Sequence, residues 1–556
     1  MGAFCLAWRM IAVLHSGWKS PSTFDDAYMF CRYADHLLAG MGMCWDPDGP
    51  ATYGCTSLLY TLWVTLIRAV TRIEFWRVTL IASWLAGVGS IVAMVWACRR
   101  TATFEPLKSW FAAMALVALI LLPFDGFAFH VGTGMDTTLA IACNALAIGA
   151  AMAFRRAVSW GVIVVVALLA YAAFAARPDS LIYVTLFPGL LIWFRAADRG
   201  QRTFDLFRFG AVMGMLLAVD TAIKWAVFGN PLPIPFYAKT GDLYAGYIGA
   251  EIWNPVIYTR KFIVDGITAV LIVLVGFRVD AWRVVVAALI PLTITFTYFG
   301  TAMQIMGFAA RFYYPALPLL VIAAYHVLDR WCCEAPATWA SRPAISVAGR
   351  IAAFALLWIV LFPLSGWAET RYKQRARAQH PDLSVAGLYE DIQLPDTDHN
   401  AFDVAKDIAA FANAAPKSAV WAMSEYGYVS AAATEVKIFD LVGLHDPESI
   451  RGGSVVDRLF ERRPEVIWFP TSNYTGMITA IETNDVFVRE YDYWPGAFKW
   501  GIAVLRDGPH REGIDSAMRE AWRKLYDQPV PPPARWIGDS IVESSTGAAT
   551  RESNDQ

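Results

Sequence analysis

Apolar runs long enough to cross a bilayer recur through the first two thirds of this sequence, and they narrow the possible folds more than any other feature. A membrane-spanning helix needs about 20 residues, within a range of roughly 17–25. Runs near that length lie at about 3–18, 54–72, 76–98, 109–124, 136–154, 159–175, 180–195, 206–228, 258–277, 283–300, 311–329 and 345–366. Composition agrees, since 57% of the 556 residues are hydrophobic and only 17% charged, against about 45–50% and about 25% in soluble domains. The expectation is a polytopic α-helical membrane protein. With 46 basic and 48 acidic residues and a net charge of −2, no electrostatic footprint for nucleic acid exists.

The distribution of basic residues orients the spans, because cytoplasmic loops collect Lys and Arg. Clusters occur at Arg99/Arg100/Lys108, Arg155/Arg156, Arg195/Arg199/Arg202/Arg208, Arg278/Arg283 and Arg330/Arg342/Arg350. Neighbouring clusters are separated by two spans, so all five can face the cytoplasm together. A cytoplasmic N-terminus and an outside first loop, about 17–53, then require one of the first two following runs not to cross. Arg68 and Arg72 punctuate the end of 54–72, which is therefore assigned as a surface or re-entrant helix. About eleven spans result, with everything after residue 366 outside. Lys224, Arg260 and Lys261, near outside ends, run against this map. The first run is read as an uncleaved span, since no small-x-small cleavage pattern follows it.

After Trp367 the sequence turns charged and Pro-punctuated. Strand-like runs in "SAVWAM", "VKIFDLVGL", "EVIWFP" and "WGIAVL" alternate with helical patterns in "FDVAKDIAAFANAA" and "SVVDRLFERR". This alternation predicts a soluble α/β domain over 367–535 with a parallel or mixed sheet, followed by a disordered tail at 536–556. None of the eight cysteines falls in this part, and no Cys/His spacing suits zinc. Cys31, Cys44 and Cys55 share the first loop, where either oxidation or apolar packing would account for them. The chain has no internal repeat.

The first outside loop sets Asp25 and Asp26 side by side a few residues after the first run, before an amphipathic segment ending at Gly40. A carboxylate within hydrogen-bond reach of an acceptor hydroxyl can take its proton as the hydroxyl attacks an anomeric carbon. A second carboxylate can orient the first or hold a divalent cation, and the sequence leaves the metal unknown. Helix capping is the structural alternative for Asp26.

The order Asp-Asp-Ala-Tyr, Arg-Tyr-Ala, Leu-Ala-Gly, Trp-Asp-Pro and Thr-Ser before an apolar helix resembles the first loop of GT-C membrane glycosyltransferases. The similarity is to those like the mycobacterial terminal arabinofuranosyltransferase. It continues at "GTGMDTTLA" (132–140), "ARPDSL" (176–181), "RFYYPALPLL" (311–320) and "KIFDLVGLHDP" (437–447), and so spans most of the chain. One departure is "YGCTS" at 53–57, where the family has an acidic residue and a tyrosine at the positions of Tyr53 and Cys55. The resemblance implies a polyprenyl-phosphate sugar donor, a catalytic aspartate in the first loop and an outside C-terminal domain that helps hold the acceptor.

The orientation map independently sends Asp25, Asp26, Asp136, Arg177, Asp179, Lys239 and Arg311 to outside ends of different spans, where they would line one pocket. Ionisable groups at membrane segments are costly and default to functional candidates. A donor phosphate needs cations, and the guanidinium fork matches phosphate oxygens. Arg177, Arg311, Lys239 and Arg32 are the phosphate candidates, with Asp136 and Asp179 beside them. Each has a structural alternative: an Arg177–Asp179 pair, a solvated Lys239 in a Pro-rich loop, a snorkelling Arg311 and an N-capping Asp136. Tyr237, Tyr244, Tyr247 and Trp253 suit a sugar surface or an interfacial aromatic belt. Asp440, His445 and Asp446 close a strand, and nothing in the sequence connects them to Asp25 and Asp26.

The functional expectation is transfer of a sugar, arabinofuranose by resemblance, to a glycan, lipid or protein acceptor at the outer face of a bacterial cytoplasmic membrane. A transporter or flippase for lipid-linked sugars is the rival reading. Transporters usually carry repeats and midplane polar residues, whereas here the ionisable residues collect at one edge.

Overall fold

The computed structural model of the chain describes residues 2–22, 24–101, 106–123, 125–154, 158–195, 198–240, 255–275, 281–301, 307–334, 388–390, 392–395 and 400–537. The chain divides into two compact units: Met1–Phe24, Ser57–Ile223 and Trp253–Ala376 form the first, and Asp25–Thr56, Lys224–Ile252 and Arg377–Gln556 the second.

The first unit is helical. Four helical segments among the described residues are long and apolar enough to cross a membrane: Phe75–Thr101, Arg199–Phe228, Trp282–Gly300 and Phe308–Arg330. Counting Ser109–Leu121 and Asp125–Gly132 as one span bent by 88° makes five. Leu58–Thr71, Thr137–Ala151 and Trp160–Ala176 are shorter apolar helices. Eleven long helices are thus not found among the described residues, and several expected runs fold in broken form. The run at 258–277 divides at Gly266 into Pro255–Asp265 and Ile267–Val275. Leu181–Arg195 carries Pro188 inside it, and the run at 345–366 lies outside the described residues. The 14-residue helix Leu58–Thr71 rises about 21 Å at about 1.5 Å per residue, short of an apolar core about 30 Å thick. It ends where Arg72 turns left-handed at φ 53°.

Small residues bring these helices together, as expected where apolar solvent gives no drive to associate. A Cβ on Gly149 would meet the Ala97 Cβ at 2.4 Å, so Thr137–Ala151 and Phe75–Thr101 are in backbone contact there. Buried hydroxyls add bonds: Ser83 Oγ donates to the Val131 carbonyl at 2.6 Å, and Thr138 Oγ1 to the Ser83 carbonyl at 2.9 Å. Arg9, which interrupts the first apolar run, pairs with Asp125.

The second unit is built on a five-stranded sheet. Strands β1 (Val420–Met423), β2 (Lys437–Asp440), β3 (Val466–Trp468), β4 (Tyr491–Trp494) and β5 (Ile502–Leu505) lie in the order β2-β1-β3-β5-β4. Neighbours are parallel through β2, β1 and β3 and antiparallel through β3, β5 and β4. The four strand-like runs read from the sequence all form strands, and the two helical patterns form helices. Ala401–Ala414 starts where Asn400 accepts from the Phe402 and Asp403 amides. Val455–Arg462 starts with Ser454 accepting from Asp457 and stops at Arg463, which is left-handed at φ 47°. The interior is aromatic, with Phe411 against Trp421 at 4.8 Å and Phe498 against Trp522 at 5.8 Å.

The same unit contains the first loop. Its helix Met29–Leu38 is almost wholly buried, through Phe30, Cys31, Arg32, Tyr33 and Ala34.

Candidate functional site

Two polar constellations carry the candidate residues, one in each unit.

In the helical unit, the helix Trp160–Ala176 ends at Arg177, whose backbone turns extended before Pro178. The proline Cδ would clash with a helical preceding residue and so favours an extended one, and the Arg177 side chain pairs with Asp179 just beyond the turn. Arg177 Nε and Nη2 donate to the two Asp179 oxygens at 3.1 and 3.0 Å, a bidentate pair. Nη1 lies 3.7 Å from the Asp136 carboxylate. Asp136 occupies the N-cap position of Thr137–Ala151 but makes no side-chain cap bond; its carboxylate faces the guanidinium instead. Arg311 follows a 3-10 turn containing Ala309 at φ 51°. Its guanidinium carbon sits 5.2 Å from the Phe24 ring centroid and 5.2 Å from that of Phe312. The Arg177 guanidinium carbon is 5.4 Å from the same Phe312 centroid. Two buried guanidiniums therefore share one aromatic ring, with two carboxylates beside them. Four of the residues expected to act together, Asp136, Arg177, Asp179 and Arg311, do converge.

In the sheet unit, Asp25 opens a 3-10 turn, Asp25–Ala27. Its carboxylate accepts from the Gly427 amide at 2.6 Å and the Tyr428 amide at 2.8 Å, at the start of the helix Gly427–Ala432. Gly427 has to be glycine, because a Cβ there would meet the Asp25 carbonyl oxygen at 2.0 Å. Burial, opposed by these two amides and reinforced by Asp26, raises the Asp25 carboxyl to about 6. Asp26 is half-buried and acts electrostatically on Asp25, on Glu425 and on the Tyr474 hydroxyl. Burial raises Glu425 to about 8, helped by Asp25, Asp26 and Asp440. Asp440 accepts from the amides of Val442, Leu444 and His445 at 2.7, 2.7 and 3.0 Å, closing the turn after β2; burial outweighs those bonds and raises it to about 8.

The structure thus joins Asp440 and His445 to the first-loop aspartates. The His445 ring stacks on Trp45 with centroids 3.8 Å apart and planes at 5°. Its Nδ1 is 2.9 Å from the Tyr33 hydroxyl. The Gly54 amide donates to that hydroxyl, so Tyr33 donates to Nδ1 and the imidazole proton belongs on Nε2. Burial holds His445 neutral, well below its ordinary range. Trp45 Nε1 donates to the Ile438 carbonyl at 2.8 Å. Asp446 is turned the other way, pairing with Arg458 at 3.1 Å and Arg462 at 2.7 Å.

Arg32 is a correction. Its five N–H groups donate to Trp45, Ser430, Ala433 and Val436 carbonyls and to Asp46, at 2.5, 3.0, 3.3, 2.7 and 3.5 Å. A guanidinium has five N–H donors, so none remains for a phosphate, and Arg32 instead holds the loop to the end of the helix Gly427–Ala432. Lys239 lies in the helix Ile234–Thr240, its side chain outside the described residues, as are Tyr244, Tyr247 and Trp253. Among the described residues no group of three His, Cys, Asp or Glu side chains could hold a metal ion. Sequence reasoning missed Glu425 and Tyr474. Neither belongs to a local motif, and only the fold brings them within electrostatic reach of the first-loop aspartates.

No protein-family model matches the chain, and no curated protein matches it in sequence. Solved structures do resemble it. ArnT from Cupriavidus metallidurans bound to undecaprenyl phosphate superposes with a TM-score of 0.51 at 12% identity, covering 91% of this chain and 98% of that one. The apo state of the same protein gives 0.49 at 12% identity, covering 90% and 98%. The apo Archaeoglobus fulgidus oligosaccharyltransferase gives 0.46 at 13% identity, covering 98% and 81%. The first match establishes that this chain shares the fold of that ArnT, and the fold carries helices long and apolar enough to cross a membrane among the described residues.

Proposed function

We propose that this protein is a membrane glycosyltransferase that moves a sugar from a polyprenyl-phosphate donor to a hydroxyl acceptor at the outer face of a bacterial cytoplasmic membrane. The observation that carries the reading is the pair of buried guanidiniums, Arg177 and Arg311, on the Phe312 ring in a fold shared with a protein bound to undecaprenyl phosphate. In the proposed reaction the acceptor oxygen attacks the anomeric carbon, and the bond from that carbon to the phosphate oxygen breaks. The bonding pair leaves with the polyprenyl phosphate, and the acceptor proton passes to a carboxylate. Arg311 and Arg177 meet the phosphate, whose charge grows as the sugar leaves. Asp179 and Asp136 hold Arg177 in place.

Asp26 is assigned as the proton-accepting carboxylate. Asp25 is assigned to position it, because the Asp25 oxygens already accept from two amides. The arabinofuranosyl group, suggested by the first-loop resemblance, is the sugar to try first, with mannosyl and galactosyl groups next. The acceptor belongs to the glycans, lipids or proteins of the cell envelope. The test is incubation of the intact protein in lipid nanodiscs with synthetic polyprenyl-phosphoryl sugars and an acceptor extract, reading release of polyprenyl phosphate. Release that disappears in Asp26→Asn supports the reading; no release with any donor, or full release by Asp26→Asn, sinks it.

A further inference from the structure

The sheet of the second unit has a topological switch point. From β1 the chain goes to β2 on one side and then returns to place β3 on the other, giving β2-β1-β3 with all three parallel. In open sheets of this kind, ligands bind outside the carboxyl ends of the strands where the order reverses. Here that position lies between the ends of β1 and β3.

Close after the ends of these strands stand buried side-chain atoms with no hydrogen-bond partner among the described residues. Ser424 comes directly after β1, and its Oγ is buried with no hydrogen bond among the described residues. Thr471 follows β3, and its Oγ1 is buried in the same condition. Its 3-10 turn, Ser472–Tyr474, receives no cap bond from it. His445, after β2, is 2% exposed, and its Nε2 is also buried without a partner. Native folds pair buried polar groups in nearly every case, and exceptions call for an explanation. Three at one edge of one sheet call for a common one. Glu425 stands next to Ser424, and the Tyr474 hydroxyl lies within electrostatic reach of Glu425 and Asp26.

The chemistry of this edge selects its ligand. It offers hydroxyls that donate or accept, an imidazole N–H and carboxyls held as acids, with no cation among them and Asp26 nearby. An anionic ligand would be repelled, whereas ring hydroxyls of a neutral sugar can pair with each of these groups.

We propose that the carboxyl edge of β1 and β3, through Ser424, Glu425, Thr471 and His445, is a binding site for a neutral sugar. As the site that would present an acceptor, it rests on the glycosyl-transfer reading. As a binding site, it can be tested without any transfer. Glu425, held as the acid, would donate to a ring hydroxyl and would be a binding residue distinct from the proton-accepting Asp26.

The experiment is saturation-transfer NMR and calorimetry on the full chain in nanodiscs, with methyl α-arabinofuranoside, methyl α-mannopyranoside and methyl β-galactopyranoside as probes. At least one should bind at millimolar concentration. One hydrogen bond is worth about two- to tenfold in an equilibrium constant, so Ser424→Ala with Thr471→Val should weaken binding about tenfold or more. Removing hydroxyls that have no partner leaves nothing unpaired, so the melting temperature of that variant should stay at or above wild type. Glu425→Gln, which keeps a donor, should retain binding better than Glu425→Ala. No binding of any probe by the wild type, or unchanged affinity in the folded double variant, overturns the proposal. Asp26→Asn should bind the probe normally while failing in transfer, which separates failure of this site from failure of the catalytic reading.

Discussion

The Asp25 carboxylate accepts a hydrogen bond from the Gly427 amide at 2.6 Å, across 402 positions of chain. That single relationship divides two adjacent aspartates that look equivalent in sequence. Anions are stabilised at helix N-termini by unpaired amides and by the helix dipole, so Asp25 acts as an external cap for Gly427–Ala432. In the proposed reaction Asp26 is the proton-accepting carboxylate. Asp26→Asn is expected to lose transfer by about 10²–10⁴-fold, the usual worth of general-base assistance, in a protein that melts normally. Asp25→Asn should lower the melting temperature, because an amide offers one acceptor oxygen where two N–H groups need partners. Turnover by each variant in nanodiscs, beside its thermal melt, checks both outcomes.

Gly427→Ala tests the same contact from the other side. Its Cβ would meet the Asp25 carbonyl oxygen at 2.0 Å and the carbonyl carbon at 2.6 Å, and backbone cannot step aside cheaply. The loop should leave the helix, and limited proteolysis should cut between residues 25 and 56 in the variant before the wild type. Equal cleavage would remove the capping argument.

Arg177 and Arg311 should respond differently to loss of charge. Arg177→Gln takes from the half-buried Asp179 its bidentate partner and from the buried Asp136 a cation 3.7 Å away, and breaking a buried pair by removing one partner typically costs about 3–5 kcal/mol. Arg177→Gln with Asp179→Asn should recover part of the lost stability. Arg311→Gln keeps the bidentate Arg177–Asp179 pair and should fold, with a raised KM for the polyprenyl-phosphate donor. A melt and a donor titration on the three variants distinguish the roles; a normal donor KM in Arg311→Gln would exclude it from the phosphate.

Stability of the second unit should fall as pH rises. The Glu425 carboxyl is raised from 4.5 to about 8 in the folded chain, so between those values the folded state holds a proton that the unfolded chain releases. The contribution is complete below about 4.5 and is lost as pH passes about 8. Asp440, raised to about 8, pulls in the same direction. Melting temperatures of the intact protein from pH 5 to 9 should decline, and Glu425→Gln should flatten part of the slope. An unchanged slope in that variant would assign the dependence to other groups.

How much was legible in advance depends on the range of the interaction concerned. Strands β1, β2, β3 and β5 and the helices Ala401–Ala414 and Val455–Arg462 follow from local periodicity and from caps such as Asn400 and Ser454, which act within a few residues. β4, "YDYW", was not anticipated: two of its four residues are tyrosine around an aspartate, and its pairing with β5 gives it strand form. Asp136, Arg177, Asp179 and Arg311 were expected at outside ends of different spans, and they meet within the helical unit. Arg32 was misread because an arginine in an outside loop looks available for phosphate until its carbonyl partners, some 400 positions away, are known.

By itself, then, the sequence determined the apolar helical character of the first part, the α/β nature of the C-terminal part and the identity of the ionisable residues, because hydropathy, periodicity and charge are additive along a chain. The tertiary structure alone decided that the first loop and the C-terminal sheet are one unit, that Asp25 caps the helix Gly427–Ala432, and that Ser424, Thr471 and His445 share one edge. These are matters of which buried polar group meets which partner. In an interior of low polarity such a group is stable only when paired, and the pairing is set by packing across hundreds of residues rather than by anything local to either group.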